Sequence, residues 1–210
     1  MRADRSILGN EQLKYRLPSL PSLPTALHTV RDSLLICHPA SPCRAVSRVE
    51  VAVAATGDGG LAVRYRIHGV PDGIRLPAPQ PPGPADGLWQ QTCCELFIAA
   101  GDDPAYREFN FSPSGQWAAY RFTAYRERDA DYRPPACPQI VLQPLTDGFC
   151  LDATLPPQLV PDNQALQLGL TAVIEAADGS KSYWALAHGA AQPDFHLRES
   201  FTLALNRSSP

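Results

Sequence analysis

Glu95 and Glu108 fall on successive strand-like segments, CCELFIA (93–99) and YREFNF (106–111), and Asn110 follows the second acid. Carboxyl groups on neighbouring strands suit two kinds of chemistry. Beside an amide and an arginine they can hold the hydroxyls of a polar ligand through bidentate, charge-assisted hydrogen bonds. At a separation of about 5–5.5 Å the same pair suits a retaining glycoside hydrolase, one as acid and the other as nucleophile. No GxSxG elbow, HExxH or P-loop accompanies them. The residues therefore lead to binding before catalysis.

The stretch YREFNFSPSGQWAAYRF (106–122) reads as two strands joined by a tight turn. Strand side chains alternate between faces. Phe109, Phe111, Tyr120 and Phe122 are expected to form a buried face. Tyr106, Glu108, Asn110, Trp117 and Arg121 are expected on the opposite one, joined by Glu95 if Leu96 and Ile98 are core. Trp89 precedes the Glu95 strand, and Trp184 lies in SYWALAH (182–188) with Ser182 and His188; both can reach the rim of that face. Indole rings stack on the apolar side of a pyranose while Glu, Asn and Arg hold its hydroxyls. The plainer reading makes Trp117 a core residue and the charges cross-strand pairs worth about 0.2–1 kcal/mol each. In QPDFH (192–196), Asp194 and His196 read either as loop ligands to a sugar or calcium, or as a turn closed by the Asp side chain.

The elements that must position these residues are strands. Val49, Val51 and Val53 alternate with polar residues, Asp58-Gly59 turns, and Leu61, Val63, Tyr65 and Ile67 alternate again. Similar hairpins are expected around Asp147-Gly148 and Asp178-Gly179, and residues 71–86 form a proline-rich loop. No sustained helical period occurs from 33 to 206. The expected fold is all-β: a two-sheet antiparallel β-sandwich over 33–206, a short irregular N-terminal extension over 1–32 and a tail over 207–210. The extension is read as partly disordered with a short helix near Thr25–Ser33, as a start-site artefact, or as an arm packed on the domain through Leu17, Leu20 and Leu23.

Composition bounds the function. The 210 residues carry 18 basic and 21 acidic side chains, a net charge of −3 with no basic block, which disfavours nucleic acid. The N-terminus is charged and proline-broken, and no apolar run is long enough to span a bilayer. A cytoplasmic location away from membranes is expected, with the six cysteines mostly reduced. The absence of CxxC argues against zinc.

DGLWQQTCCELFIA (86–99), AYREFNFSPSGQWAAYRF (105–122), SYWALAH (182–188) and PDFH (193–196) resemble the DOMON-like domains related to type 9 carbohydrate-binding modules, in a poorly characterised bacterial branch. The resemblance covers about 33–206. It implies an immunoglobulin-like or jelly-roll sandwich without catalytic apparatus, and carries Trp89, Glu95, Asn110, Trp117 and Trp184 over as a sugar face. Relatives bind sugars, or haem held by Met and His. Met1 is the only methionine, so a haem would have only His68, His188 or His196. No cofactor is expected. The ligand is read as a saccharide or sugar-containing small molecule. The alternatives are an intracellular scaffold holding a protein partner through strand edges or the 71–85 loop, and the carboxylate-pair hydrolase.

Overall fold

The computed structural model describes residues 30–70, 72–162 and 165–206. Its strands are β1 (Arg31–Cys37), β2 (Val46–Ala55), β3 (Leu61–Gly69), β4 (Gly83–Pro84), β5 (Cys93–Ala100), β6 (Tyr106–Phe111), β7 (Gln116–Ala124), β8 (Glu127–Arg128), β9 (Gln139–Leu145), β10 (Gly148–Leu155), β11 (Ala165–Glu175), β12 (Lys181–Ala185) and β13 (Leu203–Asn206). Three single 3-10 turns and no α-helix occur among the described residues. The extension expected over 1–32 lies outside them up to residue 29, as does the 207–210 tail; Arg31 and Asp32 already belong to β1.

The strands form one curled, mixed sheet in the order β4-β7-β6-β5-β11-β12-β1-β2-β3-β10-β9, with β13 beside β11 and β8 beside β7. All neighbours are antiparallel except β4 and β7. β1 joins the two halves: Arg31–Leu35 pair with β2 and Ile36–Cys37 with β12. The inner faces of both halves meet in one core. Val49, Val51, Val53, Tyr65 and Ile67 come from one half, and Leu96, Ile98, Phe109, Phe111, Leu168 and Leu170 from the other. Tyr65 crosses this core to donate its hydroxyl to the Glu95 carbonyl at 2.5 Å.

β5 and β11 are buried on both faces, which is why CCELFIA reads as an almost unbroken apolar run. Their outer side carries a second cluster of Phe97, Tyr106, Tyr120, Phe122, Val173, Phe195 and Phe201. Phe195 and Phe201 belong to the segment that follows β12 and lies over this face. The segment approaches so closely that a Cβ on Gly169 of β11 would stand 2.7 Å from the Phe201 ring and 3.3 Å from the Phe97 Cβ.

The turn between β6 and β7 corrects the expected division of side chains. Ser112 N–H donates to the Gln116 carbonyl and Gly115 N–H to the Ser112 carbonyl, both at 3.0 Å, leaving Pro113-Ser114-Gly115 as the loop. Gly115 takes φ +93°, the left-handed conformation that glycine adopts without steric cost. A loop with an odd number of residues pairs Phe111 with Trp117 and Phe109 with Ala119, whereas the expected grouping requires an even one. Trp117 therefore lies on the inner side with the two phenylalanines. Tyr120 and Phe122 go to the outer side with Tyr106, Glu108 and Asn110, and are buried there by the covering segment.

Gly169→Ala is expected to destabilise the protein by about 1–3 kcal/mol, because neither aromatic neighbour can retreat without loosening the outer cluster. Urea denaturation reads this directly, and an unchanged midpoint would contradict the close approach.

Candidate functional site

The outer face of β5, β6 and β7 forms the floor of a cavity of about 950 Å³, within the range of small-molecule sites. Glu95, Glu108, Tyr120 and Phe122 rise from the floor, joined by Val173 of β11 and Tyr183 of β12. Asp86, Trp89 and Gln90 form one wall, Arg126 and Arg128 another, and Gln192, Pro193, Phe195 and His196 overhang it. A second hollow of about 550 Å³ lies over β1, β2, β3 and β10. There Arg64 is paired with Asp152 at 2.6 Å and Glu50 with Arg48 at 3.0 Å.

The two acids are placed by register. Glu95 opposes Asn110 and Phe97 opposes Glu108, which makes the carboxyl-bearing positions diagonal neighbours on one face. Both are buried, Glu95 to 3% exposure and Glu108 to 6%. Thr171 Oγ donates to Glu95 Oε2 at 3.2 Å, and Asn110 Nδ2 donates to Glu108 Oε1 at 2.6 Å. Asn110 thus lies beneath the cavity floor as a support for Glu108, itself fully buried. Burial pushes the Glu108 carboxyl up to about 7, opposed by the Asn110 hydrogen bond and by Arg126 and Arg128. Burial, with the neighbouring Glu108 charge, raises Glu95 well above the usual carboxylate range.

His196 hangs over Glu108. Its ring stands edge-on to Phe97, Tyr106 and Phe122, with centroids 5.4, 5.9 and 5.0 Å away. Arg126 N–H donates to the Tyr106 hydroxyl at 3.1 Å, which directs the hydroxyl hydrogen to His196 Nδ1 at 2.8 Å. The neutral imidazole then carries its hydrogen on Nε2, 3.8 Å from Glu108 Oε2. Burial, helped by Arg126, lowers the His196 pKa to about 4. Asp194 holds this arrangement from behind. It accepts from Tyr125 Oη at 2.6 Å, from Arg126 at 2.8 Å and from the His196 N–H at 3.0 Å. These bonds include the Asp-closed turn, and among the described residues no three His, Cys, Asp or Glu side chains are arranged to hold a metal. Arg126 adopts φ +56°, uncommon for a side chain-bearing residue, where its backbone and side chain both serve the site.

Of the residues expected to form a ligand face, Trp89, Glu95, Glu108 and His196 line the cavity, and Trp89 is 52% exposed. Tyr106, Asn110 and Asp194 support them. Four are elsewhere. Trp117 and Trp184 are 6% and 7% exposed and face inward; Trp184 packs in the main core and donates its indole N–H to Ser182 Oγ at 2.9 Å. Trp184 opposes Ala172 of the inner face, so its neighbour Tyr183, opposite Val173, is the ring that reaches the cavity. Arg121 shares the face of Trp117 and is paired with Asp129, its Nε at 2.8 Å. His188 bonds no cavity residue among the described ones; its Nε2 lies 2.8 Å from the Ile36 carbonyl and its ring against His38. Arg126, Arg128, Tyr120, Phe122 and Tyr183 were missed.

The chain matches no protein-family model and no curated protein. Among solved structures it is similar to a candidate carbohydrate-binding protein from Bacteroides uniformis, with a TM-score of 0.60 over 84% of this chain and 86% of that one, at 14% sequence identity. At that identity the likeness is one of fold.

Glu108 and His196 act oppositely on stability. The raised Glu108 favours the folded state fully below pH 4.5, and that contribution is lost as pH rises through about 7. The lowered His196 costs stability below about 4 and ceases to do so above 6.5. Comparison with Glu108→Gln isolates the acid: from pH 5 to pH 8 the wild type should lose stability relative to the variant in urea denaturation. A constant difference across that range would contradict the burial of a titrating carboxyl.

Proposed function

We propose that the curled sheet is a β-sandwich of the DOMON-like kind and that the protein is a non-catalytic binding domain for a saccharide or sugar-containing small molecule. The observation that carries this reading is a roomy cavity in which exposed Trp89 and the rings of Tyr120 and Tyr183 meet two carboxyl groups and an imidazole N–H. Aromatic faces suit the C–H side of a pyranose, and the polar groups suit its hydroxyls. The likeness in fold to a candidate carbohydrate-binding protein points the same way. Trp89, Glu95, Glu108 and His196 touch the ligand in this reading; Tyr106, Asn110, Arg126 and Asp194 position them.

A second reading rests on the acid pair. Two carboxyl groups on neighbouring strands facing one cavity, both raised by burial, offer the general acid that a glycoside hydrolase needs. Turnover of aryl glycosides, lost in both Glu95→Gln and Glu108→Gln, would replace binding with catalysis.

The binding reading is tested by a glycan array followed by calorimetric titration of the best glycan. Trp89→Ala is expected to weaken binding by roughly 3- to 10-fold, while Trp117→Phe and Trp184→Phe leave it unchanged. Silence across the array, or a harmless Trp89→Ala, would remove the proposal.

A further inference from the structure

The charged side chains around the cavity pair off, except on its floor. Arg126 is bound to Asp194 at 2.8 Å. Arg128 lies 3.6 Å from Asp86 and 4.0 Å above the Tyr120 ring. Among the described residues, no arginine or lysine stands within ion-pair distance of Glu95 or Glu108, and the nearest basic group is His196, 3.8 Å from Glu108 Oε2. Each acid has one oxygen engaged, by Thr171 and by Asn110 respectively. Among the described residues the other oxygen of each accepts no hydrogen bond, Glu108 Oε2 having only the His196 ring at 3.8 Å. Two buried acids sharing a face with no cation in direct contact are costly when ionised, even with Arg126 and Arg128 at the cavity wall.

What they lack is a positive charge bearing several hydrogen-bond donors. A metal ion is a poor match, since no third metal-ligating side chain converges with them among the described residues. The surrounding rings suit an organic cation better, because aromatic faces attract ammonium groups and gain most when water is excluded. A neutral sugar would supply hydroxyl donors but leave the charge balance as it is.

We propose that the cavity takes a ligand carrying a protonated amine, an amino sugar, and seats its ammonium between the carboxyls of Glu95 and Glu108. The inference deepens the saccharide reading and rests on it for the sugar ring. Without the ligand, burial favours the protonated form of both acids. The arriving ammonium donates N–H···O bonds to the two free oxygens, and one proton leaves to solvent, so that one carboxylate matches the one ammonium charge while the other acid stays protonated. The same site discriminates against an N-acetylated sugar, whose amide brings neither the charge nor three donors. Arg126 and Arg128, held by Asp194 and Asp86, stay at the wall and set the approach. His196 stays neutral above the seat and does not repel the ligand.

Calorimetric titration at pH 6 with glucosamine, N-acetylglucosamine, glucose and ethanolamine, in two buffers of different ionisation enthalpy, tests this. Glucosamine is expected to bind about tenfold or more tightly than glucose or N-acetylglucosamine, with net proton release. Glu95→Gln and Glu108→Gln are each expected to bring the ratio of glucosamine to glucose affinity down to about one. Equal or tighter binding of the neutral sugars would overturn the ammonium seat and leave the saccharide reading intact. Binding of ethanolamine but no sugar, lost in both variants, would keep the seat and overturn the saccharide reading. Binding of none of the four overturns the ammonium seat. A glucosamine preference that survives both variants would place the amine elsewhere and overturn it too.

Discussion

The loop Pro113-Ser114-Gly115 fixes which side of the sheet each residue of β6 and β7 occupies. Side chains alternate, so the parity of the loop decides the matter for both strands together. Gly115 in the left-handed region and the Ser112–Gln116 hydrogen bond close the loop at three residues. Phe109, Phe111 and Trp117 are thereby committed to the inner core, and Glu108, Asn110, Tyr120 and Phe122 to the outer side. A cavity floor combining acids with aromatic rings exists because of that commitment. One residue more or fewer would have put Tyr120 and Phe122 in the core and set Trp117 beside Glu108.

The outer side would be an ordinary solvated sheet face without the segment that follows β12. Phe195 and Phe201 cover it, and Asp194 binds Arg126 and the His196 N–H from the same segment. This covering removes water from Glu95 and Glu108 and turns two surface carboxyls into buried ones. Asn110, Thr171 and the Tyr65 hydroxyl on the Glu95 backbone hold the acids in place, but they supply no opposing charge. Burial of that kind weakens the fold relative to apolar residues of similar shape. Such departures from a comfortable core concentrate at functional sites, where strain and perturbed acidity serve a ligand. The left-handed Arg126 at the cavity wall is a second departure in the same place.

The strand content was legible because alternation is a local signal: β2, β3, β5 and β6 lie where their apolar periods put them. The face shared by Glu95, Glu108 and Asn110 was also legible, since it depends only on parity within strands and on Leu96 and Ile98 being core. Trp117 was not, because loop parity is set by a single backbone conformation at Gly115. Trp184 was misplaced for a related reason: SYWALAH carries large rings on both faces, and only pairing with Ala172 shows which one is inward. Arg126 and Arg128 were illegible because their importance comes from Asp194 and Asp86, far away in the chain. Long-range covering of the outer face leaves no periodic trace in either partner. It also explains why Tyr120 and Phe122 are buried although they face away from the main core.

The account stands on two buried carboxyls that face a cavity and that, among the described residues, no arginine or lysine contacts. Carbon-detected NMR titration of the glutamate side-chain carboxyls in the free protein measures this directly. The predicted result is a Glu108 midpoint near 7, with Glu95 also raised well above the ordinary carboxylate range. Midpoints for both in the ordinary glutamate range, about 4.3, would mean that the acids are solvated surface groups, and would contradict the account.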